Sequence, residues 1–166
     1  CQVDIDMRKV SLPAWSLPAG EAADDHLARL CEEALPAHYR PVTEAARRQL
    51  AHELNVIRQT NMAEYFLVVW DIMRFTRSRG IRAQGRGSAA NSIVAYLLGI
   101  TRVDPLAHNL LFERFLSTEA RIMPDIDMDF CSRRREEVIQ YIYDTYGESH
   151  VGMVCNFVTY RGRNAI

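Results

Sequence analysis

The sequence predicts an α+β fold, a small sheet under several helices, and three observations carry that expectation. Apolar residues recur at helical spacing in several segments. A glycine turn, Gly85-Arg86-Gly87-Ser88, separates a short strand from a helix, and the run 124–130 alternates apolar with acidic residues as a half-buried strand does.

Taken in order, residues 12–20 hold Pro13, Pro18 and Gly20 and read as an extended or looped approach. Leu27, Leu30, Cys31, Ala34 and Leu35 then share one helical face, with Asp24 and Asp25 at its front and Pro36 as its expected end. A second helix should start after Pro41, capped by Thr43, with Leu50, Leu54 and Ile57 on one face. The third, 63–79, is apolar on more than one face through Phe66, Leu67, Val69, Trp70, Ile72 and Met73, which places it at the centre of the core. Gly80 should end it. Residues 81–84 read as a strand; Ser88 should cap a helix carrying Ile93, Val94, Leu97 and Leu98 that finishes at Gly99. A turn at 103–105, a short helix over 110–116 and a strand over 123–130 follow. Ser132 is the expected cap of a last helix, with Val138, Ile139, Ile142 and Tyr146 inward and Gly147 at its end, and 150–157 is a further strand candidate.

Composition narrows the class. With 166 residues, 48 % hydrophobic and 25 % charged, the chain fits one soluble domain with an ordinary core. No apolar run approaches the roughly 20 residues of a membrane span, and the first residues lack the layout of a secretion signal, so the cytoplasm is the expected location. Cys1, Cys31, Cys131 and Cys155 form no CxxC pair, which argues against zinc and a disulfide framework and for reduced packing residues. Net charge is −1, yet between Asp71 and Ile122 eight arginines (Arg74, Arg77, Arg79, Arg82, Arg86, Arg102, Arg114, Arg121) face four acids. That bias fits a phosphate-binding region; Lys9 being the only lysine, it fits a general preference for arginine as well.

Two constellations carry chemistry. In Pro124-Asp125-Ile126-Asp127-Met128-Asp129-Phe130, strand alternation puts three aspartates on one face and Ile126, Met128 and Phe130 on the other. Side chains two residues apart on a strand lie roughly 6.6 Å from each other, so neighbouring carboxylates can bracket a cation, and hard oxygen ligands suit Mg²⁺. A solvated acidic strand face fits the same residues. A calcium loop of the EF-hand type requires glycine next, and Phe130 stands there instead. In Gly85-Arg86-Gly87-Ser88, glycines admit close backbone approach to a phosphate, a helix start offers N–H groups, and Ser88 adds a hydroxyl. A plain tight turn is the other reading. Together, a phosphate cradle and a carboxylate pair are the two halves of a metal-assisted nucleotidyl-transfer site.

The run GRGSAANSIVAYLLGITRVDPLAHNLLFERFLSTEARIMPDIDMDF resembles the palm signature of the bacterial family C DNA polymerases. These carry GRGS, GIT-x-x-DPL, LLFERFL and PD-x-D-x-DF in that order, and all four elements are present. NMAEYFLVVWDIM upstream and VCNFVTYRGRNAI downstream extend the likeness over about residues 44–166. The resemblance implies a polymerase-beta-like nucleotidyltransferase palm, a small mixed sheet flanked by helices, over 1–155, with 1–43 as its approach and first helix, and the start of the thumb at 156–166. It implies Asp125 and Asp127 as catalytic, metal-binding aspartates for two Mg²⁺ ions, and Gly87, Ser88 and Arg114 as ligands of the nucleotide triphosphate. Arg86, Asn91 and Asp129 are candidates beside them. Implied substrates are primer–template DNA and deoxynucleoside triphosphates; implied partners are a sliding clamp and other polymerase subunits, with no membrane.

Ala89 and Asn91 stand where replicative members carry the GRGSGAGS form, and GRGSAANS is similar to the error-prone branch used in damage tolerance. The family's third aspartate belongs to a later strand, beyond Ile166. The 166-residue chain alone should therefore give no primer extension, because neither metal nor primer is held in reacting geometry; a gel-based extension assay with the purified chain checks this, and robust extension would contradict the resemblance-based site.

Overall fold

In the computed structural model, which describes residues 13, 15, 17, 20–118 and 124–154, the amphipathic stripes become three packed helices: α1 (Ala23–His38), α2 (Glu44–Gln59) and α3 (Ala63–Ser78). α1 buries Leu27, Cys31 and Leu35 against α3 and α2. Pro36 lies inside α1 rather than ending it. The helix runs only two residues past the proline, and its end is closed beyond it: Tyr39 N–H reaches Leu35 O at 3.0 Å and Arg40 Nε reaches Pro36 O at 3.2 Å. Thr43 caps α2 as its sequence position suggests, accepting from Ala46 N–H at 3.2 Å. α3 buries Phe66, Leu67, Val69 and Met73, with Trp70 and Ile72 partly covered, and stops at Gly80.

A buried carboxylate places the next element. Glu53 of α2 is fully buried, and its two oxygens accept from Gln49 Nε2 (3.0 Å), Ser92 Oγ (2.7 Å), Ile93 N–H (2.9 Å) and Val94 N–H (3.2 Å). Burial pushes its carboxyl above the usual range, and these hydrogen bonds work against that rise. The start of α4 (Ile93–Leu97) is thus fixed from outside, with Ser92 as its cap, accepting from Ala95 N–H at 3.1 Å. Ser88 is not the cap: residues Gly87–Asn91 form a 3₁₀ turn first, so the helix begins four residues later than the sequence suggests. Gly99 closes α4 as expected.

Two strands make an antiparallel ribbon, β1 (Ala83–Arg86) with β2 (Asp127–Phe130), in the register Ala83↔Phe130, Gln84↔Asp129, Gly85↔Met128 and Arg86↔Asp127. Among the described residues the sheet is therefore two-stranded and antiparallel, not mixed. β1 starts later than 81–84 because Ile81 N–H is still occupied closing α3 on Thr76 O at 2.8 Å. β2 is shorter than 123–130 because its partner ends at Arg86, beyond which Gly87 turns the chain; residues 124–126 are not strand, and 123 lies outside the described residues. Gly85 backs onto the end of α4, its N–H donating to Ile100 O at 2.6 Å, and a Cβ there would meet that carbonyl at 2.9 Å.

The 110–116 segment is a 3₁₀ turn at Phe112–Arg114, seating Phe112, Phe115 and Leu116 in the core. α5 (Arg135–Tyr146) follows a turn in which Arg134 N–H bonds to Cys131 O, so Ser132 does not cap it. Of its expected inward residues only Val138 is fully buried, because α5 leans on α3 through polar and aromatic contacts. Tyr141 and Tyr146 donate to the buried Asp71 of α3, and Tyr141 stacks on Phe75 at 3.9 Å. Residues 150–154 carry no strand, while 155–157 and the expected thumb start, 156–166, lie outside the described residues. No helix among the described residues is long and apolar enough to cross a membrane. Cys31 and Cys131 are free thiols.

Glu53→Ala should lower stability by about 3–5 kcal/mol, since it leaves the buried Ile93 and Val94 N–H groups and the Ser92 hydroxyl without their acceptor. Equilibrium urea unfolding measures this, and Glu53→Gln should recover part of the loss.

Candidate active site

Ribbon pairing brings the two constellations together. Alternation leaves Asp125, Asp127 and Asp129 exposed while Ile126 is buried and Met128 and Phe130 are partly covered, as read from the sequence. Gly87 lies directly beside Asp127: a Cβ at position 87 would stand 3.2 Å from Asp127 Oδ2, and the residue's φ of +68° is one that glycine adopts without penalty. Ser88 Oγ donates to the Asp125 carbonyl at 3.3 Å across 37 residues of sequence. The glycine turn and the acidic strand are therefore one site.

Electrostatics distinguish the three aspartates. Arg86 Nε donates to Asp129 Oδ1 at 3.0 Å, and Arg86 Nη1 lies 3.7 Å from Asp127 Oδ2. The hydrogen bond to Asp129, then the charges of Asp129 and Asp127, hold the Arg86 guanidinium's pKa above its ordinary value. Asp129 is thus engaged as a counter-ion, whereas Asp125 makes no side-chain ion pair with a described residue. Asp125 and Asp127 have the hard, exposed oxygens a divalent ion takes, and among the described residues no third carboxylate, histidine or cysteine joins them in a metal-binding group.

Two supporting residues were not singled out from sequence. Tyr65 of α3 reaches under the acidic segment, its hydroxyl accepting from Ile126 N–H at 3.1 Å and so fixing the peptide between Asp125 and Ile126. Burial raises its pKa, and the charges of Asp125 and Asp127 push the same way. Nothing in the sequence marks it, one residue from Phe66 in an apolar helix. Glu53 did leave a signal, a charge at the i+3 position of the Leu50–Ile57 core stripe. Arg114 is exposed, in a turn that touches the Gly87–Asn91 turn, and its side chain pairs with no described residue; Asn91 is half-buried at the end of the latter turn.

Residues 25–166 match the family model described as "Bacterial DNA polymerase III alpha NTPase domain". The chain is 46 % identical over 167 residues to the DNA polymerase III subunit alpha of Bacillus subtilis (strain 168), covering all of this chain and 15 % of that relative. It is 58 % identical over 123 residues to the error-prone DNA polymerase of Anaeromyxobacter dehalogenans (strain 2CP-C), covering 74 % of this chain and 11 % of the relative. A third relative, the error-prone DNA polymerase of Symbiobacterium thermophilum, is 45 % identical over 166 residues, covering all of the chain and 15 % of its own length. The chain belongs to the bacterial DNA polymerase III alpha family. It spans between about a tenth and a sixth of the length of these family members, and both the glycine turn and the acidic strand fall inside the segment matched to the DNA polymerase III alpha domain.

Gly87→Ala should destabilise the protein by about 1–2 kcal/mol, the usual cost of a left-handed backbone for a residue with a Cβ, and should press the new methyl group on Asp127. Thermal unfolding would read the loss; an unchanged melting temperature would mean the turn relaxes away from the strand.

Proposed function

We propose that this chain carries the nucleotide-binding and part of the metal-binding machinery of a DNA-directed DNA polymerase, which adds deoxynucleotides to a primer 3′ end by two-metal phosphoryl transfer. The observation that carries the reading is the contact of Gly87 with Asp127, since a phosphate cradle against a carboxylate pair is what such a transfer needs. Asp125 and Asp127 would hold two Mg²⁺ ions, which when bound activate the primer hydroxyl and steady the leaving pyrophosphate. The chain's own groups position the triphosphate: the Gly87 backbone admits a phosphate closely, and the Ser88 hydroxyl exchanges its bond to the Asp125 carbonyl for one to a phosphate oxygen. Arg114 supplies charge from the adjoining turn, and Arg86 divides its donors between Asp129 and the incoming anion. Tyr65 keeps the Asp125–Asp127 backbone in place meanwhile. Primer–template DNA and deoxynucleoside triphosphates are the substrates, and a sliding clamp and other polymerase subunits are the partners of the intact cytoplasmic protein. Its palm would be of the polymerase-beta-like nucleotidyltransferase type.

Ala89 and Asn91, together with the 58 % identity to an error-prone DNA polymerase, support synthesis across damaged templates. The full-chain likeness to a DNA polymerase III subunit alpha supports a second reading, replicative synthesis on the same site.

In the full-length polymerase, Asp125→Asn and Asp127→Asn should each cut primer extension by more than about a hundredfold, the several kcal/mol a metal contributes to the transition state, with Asp129→Asn losing less. Steady-state kinetics with a fixed primer–template test this; activity within tenfold of wild type in both of the first two variants would reject the assignment.

A further inference from the structure

Most arginines of the ribbon and its supporting helix have partners: Arg74 binds Asp71 at 2.7 Å, Arg77 binds the Leu98 carbonyl at 2.9 Å, and Arg86 binds Asp129 at 3.0 Å. Arg82 and Arg102 differ. Both are exposed, and neither side chain forms an ion pair or hydrogen bond with a described residue. Both line a cleft of about 550 Å³ between the end of α3, β1 and the segment after α4, together with Arg77, His38, Tyr96 and Thr101, and no carboxylate lines it. Both also line an adjoining cleft of about 310 Å³ beside Phe130 and Cys131, where the sole lining acid is Asp129, already held by Arg86. Two arginines that line the same clefts and pair with no described residue leave positive charge there, and an anion shared between them reduces the repulsion between them.

Their position says which anion. Cys131 N–H bonds to Arg82 O at 2.9 Å, so the ribbon's pairing continues to Arg82, and the alternation of exposed Arg82, Gln84 and Arg86 with half-buried Ala83 and buried Gly85 puts Arg82 on the face that bears Asp127 and Asp129. Four residues at about 3.3 Å each separate Arg82 from Arg86, about 13 Å. That backbone offset from the carboxylate pair is on the scale of a few steps of a duplex at about 3.4 Å per base pair.

We propose that Arg82, on the ribbon face of the aspartate pair and a few base steps from it, and Arg102, which lines the same clefts, form a phosphate-binding subsite for the DNA backbone. The inference rests on the polymerase reading of the site. Guanidinium groups suit it, because a planar fork takes two oxygens of one phosphodiester, and the open cleft suits a polymer that passes through.

The test uses the full-length polymerase and a fluorescent primer–template, with affinity followed by anisotropy between about 50 and 200 mM salt. Each lost duplex phosphate contact lowers the slope of log affinity against log salt by about 0.9. The Arg82→Ala/Arg102→Ala variant, which gives up the one phosphate the two share, should therefore lose about 0.9 from that slope and bind DNA more weakly, with its melting temperature and its KM for deoxynucleotide unchanged. Arg82→Lys/Arg102→Lys should keep the slope. A wild-type slope in the double alanine variant overturns the proposal; so does a KM for nucleotide that rises while DNA affinity holds, which assigns the cleft to free nucleotide phosphate. Asp125→Asn, run in parallel, separates the two readings: synthesis surviving in it, beside a reduced slope in the arginine variant, removes the catalytic assignment and leaves the DNA contact standing.

Discussion

Glu53 sits beyond the reach of solvent, and its carboxylate takes the N–H groups of Ile93 and Val94 and the hydroxyl of Ser92, so α4 can start only where α2 puts that charge. The dependence runs onward. α4 ends at Gly99, Ile100 offers its carbonyl to Gly85, and the strand that Gly85 belongs to is thereby held against the core. β2 has β1 as its only strand partner among the described residues. A buried charge without partners costs several kcal/mol, and this one is surrounded by donors, which makes it a position specifier more than a source of net stability.

From that chain of contacts follows the geometry of the acidic face. The register pairs Arg86 with Asp127 and Gln84 with Asp129, yet the Arg86 side chain slants along the ribbon to make its shorter bond to Asp129. Asp129 thereby takes the hydrogen-bonded share of the guanidinium, Asp127 the looser 3.7 Å pairing, and the Asp125 side chain pairs with no described residue. Gly87 is the hinge of this arrangement, because only a residue without a Cβ both adopts its φ and leaves Asp127 undisplaced.

α3 serves both halves of the molecule. Its inward face is core, its Tyr65 hydroxyl holds the peptide N–H of Ile126, and its Asp71 receives the hydroxyls of Tyr141 and Tyr146 from α5. The acidic strand is therefore tied to the core on both of its flanks, through Tyr65 before it and through α5 after it. Family membership and the polymerase reading agree with such a mount, since metal-assisted transfer depends on carboxylates that are held in place before the substrate arrives.

By itself the sequence determined the helices, the outward alternation of Asp125, Asp127 and Asp129, the glycine turn and the family. These are local properties: helical and strand periodicity are set by backbone geometry, and a motif is legible wherever its order is kept. Element ends were less legible. Ser88 and Ser132 looked like caps, and Pro36 like a stop, because capping chemistry is read from residue type, while the true starts were chosen by Glu53 and by the turn at Arg134, contacts that a local window does not contain. Only the tertiary structure decided that Gly87 meets Asp127, that Arg86 takes Asp129, that Tyr65 lies beneath the acidic segment, and that Arg82 and Arg102 share a cleft. Each joins residues about 20 to more than 60 positions apart, and strand pairing and helix packing, which bring such residues together, are settled by the whole core at once.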